Sequence, residues 1–122
     1  MIARVASAFS IAAALALVGC TAKYDRTDIS VSSAGDLPVT FNRTIITIPV
    51  GGIAIAHIAP FNDDGNPMVG EVTSEDPTVV DVAYSMGDKQ YAFFGLKAGR
   101  TTVHLFAGGQ EVMRIPANIV EQ

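Results

Sequence analysis

The chain of 122 residues has no tryptophan, two histidines and one cysteine. A single cysteine excludes a disulfide within the chain, so a buried apolar core must stabilise the fold. A domain of about 100 residues buries roughly two thirds of the surface that its unfolded chain exposes, which is enough for such a core. The length allows one domain at most.

Basic residues are also few. Eight lysines and arginines stand against twelve acidic residues, and the formal net charge is −4. The basic residues form no cluster or stripe that could neutralise a phosphate backbone, so we expect no binding to nucleic acid. A peripheral membrane helix with a basic face is unsupported on the same ground.

Residues 1–19 form an apolar leader. Arg4 gives it a minimal positive start, and residues 5–18 carry no charge and are rich in Ala, Leu, Ile and Val. About 14 apolar residues suit the central region of a cleavable signal peptide and are short for a spanning helix, which needs about 20. The leader therefore predicts a signal peptide, with an uncleaved membrane anchor as the alternative.

The leader ends in Leu17, Val18 and Gly19, followed by the only cysteine, Cys20. This segment resembles the lipobox of bacterial lipoproteins, in which signal peptidase recognises a Leu and two small residues and cleaves before a lipidated cysteine. The resemblance implies that Cys20 carries a diacylglyceryl group, the only covalent group we expect and not a cofactor. Two or three acyl chains hold a protein stably on a membrane, whereas one holds it marginally.

The resemblance also implies a location in the bacterial cell envelope. In this family an Asp after the cysteine tends to retain the protein at the inner membrane, and Thr21 stands there instead. We therefore expect the outer membrane if the organism has one. Residues 20–26 are predicted to be the lipidated cysteine and a short polar tether, whose six residues after Cys20 reach roughly 20 Å when extended.

Residues 27–122 are predicted to form one β domain. β-Branched residues alternate with polar ones, turn signals recur every eight to twelve residues, and no stretch has sustained helical periodicity. The candidate strands are 27–31, 39–41 running on to 44–48, 52–59, 69–73, 79–84, 89–96, 101–107 and 110–119.

Two turns have a clear mechanism. Residues 62–67 combine Asn, Asp, Gly and Pro, which tolerate a positive φ or bond to their own backbone. Gly108-Gly109 predicts a two-residue hairpin with a primed turn. Phe41 and Ile46 are an odd number of positions apart, so in one continuous strand their side chains would point to opposite faces. This change of face, or parity, predicts a β-bulge near Asn42-Arg43. The hairpin predicts a set of core residues: Val103, Leu105, Met113, Ile115, Ala117 and Ile119.

Three segments resemble, in order, those of the bacterial Ig-like domain of group 2. They are residues 50–67, the Ser-Glu-Asp-Pro-Thr-Val-Val-Asp-Val segment at 74–82, and the Gly-Leu-Lys-Ala-Gly-Arg-Thr-Thr-Val segment at 95–103. The resemblance covers about residues 44–117 and implies an all-β fold, an Ig-like antiparallel β-sandwich of about seven strands. His57, Pro60 and the aromatic residues of 91–94 depart from the family pattern, so the inward and outward faces of those strands stay open.

Few residues offer catalytic chemistry. The chain has no Gly-x-Ser-x-Gly elbow, and a lipidated Cys20 is no nucleophile. His57 and His104 would lie on different sheets of an Ig-like domain, so we interpret them as exposed strand histidines and not as a zinc or catalytic pair. Asp63 and Asp64 are interpreted as turn residues, since one such turn supplies too few oxygens for calcium. We expect neither a metal nor an enzyme.

Two of the predicted strands contain more apolar residues than a β-sandwich requires. The strands around Ile53 and Ile55 and around Tyr91 and Phe93 are apolar on both faces, whereas one face of a sandwich strand is normally polar. Either the N-terminal segment or a loop covers the surplus, or these four residues form a partner-binding patch.

The sequence therefore predicts a lipid-anchored envelope protein with one non-catalytic Ig-like domain, whose partner is a protein or a glycan. The alternative is an accessory subunit of a secretion, pilus or transport assembly that docks through the apolar face. A hydrolase or metal enzyme is the third and weakest hypothesis.

Overall fold

The computed structural model describes residues 22–33, 37–85 and 89–122. These residues form nine strands, joined by turns and loops, and no helix. The strands follow the predicted segments closely. They are β1 (Tyr24–Ser33), β2 (Thr40–Phe41), β3 (Ile46–Pro49), β4 (Ile53–Asn62), β5 (Gly70–Ser74), β6 (Val80–Ser85), β7 (Gln90–Gly95), β8 (Gly99–Ala107) and β9 (Gln110–Val120). No helix of these residues is long and apolar enough to cross a membrane.

The strands form two sheets. Sheet one has the order β1-β4-β7-β6, and sheet two has the order β2-β3-β9-β8-β5. All pairings are antiparallel except that of β3 with β9. When β2 and β3 are set aside, the other seven strands have the sheet membership of a constant-type Ig domain, ABED against CFG. The structure thus confirms the Ig-like β-sandwich and adds a short hairpin to the expected seven strands.

The core lies between the two sheets. The hairpin of β8 and β9 contributes residues that the sequence predicted, since Val103, Leu105, Ile115, Ala117 and Ile119 are buried. Met113 is partly buried and packs against them. The other members of the core come from both sheets: Ile46, Ile48, Ala54, Ala56, Ile58, Val79, Val80, Tyr91 and Phe93.

The turn between β8 and β9 is the predicted one. Gly108 has a φ of 59° and Gly109 a φ of 84°, the two positive values that a type I′ turn requires. A register shift after Leu105 places it opposite Met113 and places Val103 opposite Ile115. This bulge, which the sequence did not predict, puts the alternate residues of both strands on the core side.

The segment from Thr40 to Pro49 corrects the prediction of one continuous strand with a bulge. The chain reverses instead, with Phe41 opposite Ile46. The Asn42 side-chain oxygen accepts hydrogen bonds from the backbone N–H of Thr44 at 2.9 Å and of Ile45 at 3.0 Å. An Asn that bonds to the backbone two residues on stabilises a turn, so the parity change marks a hairpin.

The strand directions define two ends of the sandwich. At one end β1 begins, the chain turns from β4 to β5, and Gly108-Gly109 lies; we call this the entry end. The far end carries the turn from β3 to β4, the connection from β7 to β8, and the end of β9. A strand of nine residues spans about 30 Å, which is the approximate distance between the two ends.

Candidate functional site

The predicted lipidation site lies outside the described residues. This holds for Cys20, for Leu17, Val18 and Gly19, and for the whole leader. Lipidation of Cys20 stays a prediction. The structure describes the chain from Ala22, and so shows how the segment after the cysteine joins the domain.

The chain is fixed to the sandwich directly after the predicted anchor. The Lys23 backbone N–H donates to the Asp63 carboxylate at 3.2 Å, and the Asp63 backbone N–H donates to the Lys23 carbonyl at 2.8 Å. Tyr24 then pairs with Asn62 as the first residue of β1. The strand begins before the predicted position 27, and three peptide units separate Cys20 from the first fixed residue, Lys23.

The turn that receives Lys23 is built as the sequence predicted. The Asn62 side-chain oxygen accepts hydrogen bonds from the backbone N–H of Asp64 at 3.0 Å and of Asn66 at 2.9 Å. Gly65 has a φ of 83°, a value that glycine adopts without strain. Asp63 thus holds the start of β1.

The predicted partner patch is not one surface. Phe93 is 0% exposed and Tyr91 is 4% exposed, and both belong to the core. Ile53 is 42% exposed and lies on the opposite face of sheet one, as does the half-buried Ile55. The patch of Ile53, Ile55, Tyr91 and Phe93 was therefore wrong as a group.

Side-chain volumes explain this arrangement. Ala54 pairs with Phe93 and Ala56 pairs with Tyr91, so small residues of β4 face large aromatic residues of β7 on the core side. Phe93 also meets Phe41 of sheet two edge to face, with ring centroids 4.8 Å apart. The interior is filled by these rings, and Ile53 and Ile55 of β4 face outward.

The outward side of sheet one is apolar near the far end. Ile53 pairs with Phe94, Ile55 pairs with Ala92, and Phe94 pairs with Asp81 of β6. Phe94 is partly buried. We call Ile53 and Phe94 the apolar row.

A second apolar surface lies at the entry end. Val69 is 84% exposed and Tyr84 is 53% exposed, and the Tyr84 ring lies 4.9 Å from that of Tyr91. Together with Met68 and Lys89 they line an open cavity of about 400 Å³. Burial raises the pKa of the Tyr91 hydroxyl above its ordinary value.

The two histidines lie on different sheets, as expected. His57 is on β4 of sheet one and His104 is on β8 of sheet two. The described residues contain no group of three or more His, Cys, Asp and Glu side chains arranged to hold a metal ion.

His104 is not a plain exposed strand histidine. Its Nδ1 lies 2.8 Å from Glu111 Oε2, and its Nε2 lies 3.2 Å from Glu75 Oε2. Arg114 Nε donates to Glu111 Oε1 at 2.7 Å. The His104 side chain is 20% exposed. We call these four residues the His104 network.

The network favours the charged imidazole. Only the protonated ring has an N–H on both nitrogens, and here each nitrogen faces a carboxylate. The hydrogen bond with Glu111 raises the pKa of His104, assisted by Glu75 and opposed by partial burial. The bonds from Arg114 and His104 lower the pKa of Glu111.

This network was not predicted from the sequence, although part of it could have been. The predicted core set has Val103, Leu105, Met113 and Ile115 facing inward, so alternation along the two strands places His104 and Arg114 on the outward face. The bulge after Leu105 sets the observed pairing of His104 with Arg114. Glu75 comes from the loop after β5, and only the fold places it there.

No family model matches the chain, and no curated protein matches it. Solved structures of the surface-layer protein SbsC share its fold. Domains 1–6 of that protein align with a TM-score of 0.61 at 19% identity over 84% of this chain and 14% of theirs. Domains 4–9 give a TM-score of 0.58 at 23% identity over 84% of this chain and 15% of theirs.

A shorter structure, domains 4 and 5 of SbsC, gives a TM-score of 0.53 at 23% identity, over 76% of this chain and 54% of that chain. The chain thus spans about half or less of the length of these structures. At such identities the likeness shows the fold, a β-sandwich domain that recurs in a bacterial surface-layer protein.

Proposed function

We propose that the chain is a lipid-anchored protein of the bacterial cell envelope, at the outer membrane where the organism has one, with a single non-catalytic Ig-like domain for binding or structure. The observation that carries this proposal is the segment from Leu17 to Cys20, at the end of an uncharged apolar run. A cysteine at that position suits a thioether-linked lipid, and two or three acyl chains supply a stable anchor.

The structure supports the proposal at the other side of Cys20. The chain enters the sandwich at Lys23, so nothing but a short connection lies between the predicted lipid and the domain. Domains of SbsC, which is a surface-layer protein, share this fold. The His104 network, with both ring nitrogens bonded to carboxylates, stabilises a sheet face.

The proposal is tested by lipid labelling of the full chain in bacteria. Cells are fed a radiolabelled fatty acid, and the protein is recovered from membranes and from the soluble fraction. We expect label on the wild type and none on Cys20→Ala, because the thiol is the attachment point. Ser10→Ala, a change in the leader outside the lipobox, is the matched control and keeps its label. An unlabelled wild type that remains in the membrane with its leader uncleaved would show a membrane-spanning anchor instead.

The apolar row favours a second candidate, an accessory subunit of an envelope assembly. Ile53 is 42% exposed and stands beside Phe94 on an outward sheet face, where a polar residue is usual. A protein partner would cover this row, whereas a free-standing domain that binds a glycan would leave it open.

Photocrosslinking in cells separates the two candidates. A photoreactive phenylalanine replaces Ile53 in one variant and Asp28, on the outward side of β1, in the control. An accessory subunit gives one stoichiometric protein adduct from position 53 and none from position 28. A free-standing module gives no specific adduct at either position.

A further inference from the structure

The most exposed large apolar side chain among the described residues is Val69, at 84%. It does not stand alone. Met68 precedes it, and the half-exposed ring of Tyr84 shares the same open cavity. These three residues lie at the entry end, because β5 begins there and β6 ends there. We call them the entry surface.

The start of β1 is fixed at the same end. Two hydrogen bonds between Lys23 and Asp63, one of them accepted by the Asp63 carboxylate, attach it to the turn from β4 to β5. Met68 follows that turn, and its backbone N–H donates to the Pro60 carbonyl at 2.9 Å. Three residues beyond a fixed point reach at most about 10 Å. Wherever Cys20 is held, the entry end must therefore lie close by.

The charges of the entry end do not favour contact with a charged surface. The entry end carries Lys23 and Lys89, and the turn beside them carries Asp63 and Asp64. These charges offset each other, so attraction to an anionic surface is weak. Apolar side chains and a tyrosine are the residue types that lie at the boundary of headgroups and acyl chains.

We propose that the entry surface is a membrane-contact surface, with Val69, Met68 and the Tyr84 ring in the headgroup region of the bilayer that holds Cys20. This inference rests on the proposed lipid anchoring and adds an orientation to it. The anchor keeps the surface at a high effective concentration at the bilayer, so a small apolar contact suffices. The far end, with the apolar row, then points away from the membrane and stays accessible to a partner.

A tryptophan scan of the full lipidated chain tests this orientation, because the protein has no tryptophan of its own. Val69→Trp reports on the entry surface. Leu96→Trp is the matched control, since Leu96 is also a large exposed apolar residue, at 52%, but lies at the far end. Each variant is purified from bacterial membranes and reconstituted into vesicles of phosphatidylcholine with and without dibrominated acyl chains. Flotation is measured on the same samples.

We expect both variants to float with the vesicles. The emission of Val69→Trp shifts to shorter wavelength and most of it is lost to bromine, whereas Leu96→Trp emits as in water and is not quenched. About 30 Å separates the two ends, which is beyond the depth of 5–10 Å that an interfacial contact occupies. Added salt leaves the quenching unchanged.

Three results would overturn the orientation, and they have different meanings. Failure of both variants to float contradicts the lipid anchoring itself. Flotation without quenching at position 69 shows an anchored domain that stands away from the bilayer. A blue shift at position 69 that grows with protein density and is insensitive to bromine shows that a second copy covers the entry surface.

Discussion

The outward faces of the two sheets differ in kind. On sheet two, His104, Glu111 and Arg114 are joined by hydrogen bonds and ion pairs, so the polar side chains of that face satisfy one another. On sheet one, the outward face holds Ile53 and Phe94 near the far end. An antiparallel sandwich needs one apolar side per sheet, and sheet one has apolar residues on both. The excess on sheet one is the part of the sandwich that packing between the sheets does not explain.

This difference separates two roles for neighbouring residues. Within β7, Phe93 is fully buried against Ala54 and Phe41, whereas Phe94 faces outward beside Ile53. The inward residue contributes to stability. The outward one contributes area that a partner can cover.

The largest loss of stability is expected from substitution of the buried Phe93, next to the outward-facing Phe94. Phe93→Ala removes a fully buried ring and leaves a cavity, so it should lower the free energy of unfolding by about 3–5 kcal/mol. Phe94→Ala, one residue on, should cost clearly less because its ring is already partly in solvent. Denaturant unfolding of the two variants measures the difference. Equal losses would show that the outward side of sheet one is covered as fully as the core.

On sheet two, the contrast between an inward and an outward residue is tested at Leu105. Leu105 is 2% exposed between the sheets, and Leu105→Ala should cost about 2–5 kcal/mol. Thr102, on the outward side of β8, is the control, and Thr102→Ala should change stability little. Thermal melts followed by circular dichroism test both changes. A melt of Leu105→Ala that coincides with the wild type would refute the assigned faces of β8.

The smallest effect concerns the His104 network and its dependence on pH. The folded state raises the pKa of His104 above its ordinary value of 6.5, so its contribution is complete below that value and is lost as the pH rises through the folded pKa. Glu111 has a lowered pKa, so its contribution is complete above 4.5 and is lost as the pH falls through the folded pKa. The network therefore stabilises the fold most between about pH 4.5 and 6.5.

Substitution of His104 tests this window. His104→Gln should melt below the wild type near pH 6, by no more than about 5 °C as is usual for exposed ion pairs, and approach it near pH 9. His57→Gln, on sheet one, should keep the pH dependence of the wild type. The groups that face His104 are Glu111 and Arg114 from β9 and Glu75 from the loop after β5. A gap between wild type and His104→Gln that is constant from pH 5 to 9 would contradict the network.

Much of the fold could be predicted from the sequence, because its signals were local. The alternation of β8 and β9 around Gly108-Gly109 fixes both strands and their faces, and the Asn-Asp-Gly turn at 62–67 ends β4 where the structure ends it. Strand order could be predicted only through the resemblance to Ig-like domains. The hairpin of β2 and β3 was misread because a change of parity has the same pattern in a bulge and in a tight turn.

The candidate surfaces were harder to predict. A strand that is apolar on both faces gives no period from which to choose the inward side, and in the first half of β4 the larger residues, Ile53 and Ile55, face outward. The choice is made by β7, whose rings fill the interior opposite alanines, and that pairing is long-range. The entry surface depends on which turns meet at one end of the sandwich, and the His104 network depends on a bulge and a distant loop.

The proposed lipidation of Cys20 underlies both the anchoring and the orientation of the domain, and intact mass spectrometry of the protein extracted from membranes tests it directly. We expect a mature chain that begins at Cys20 and carries the mass of a diacylglyceryl group, with fragment ions that place this mass on the first residue. A chain that retains residues 1–19, or one that is cleaved without added lipid mass, would contradict it.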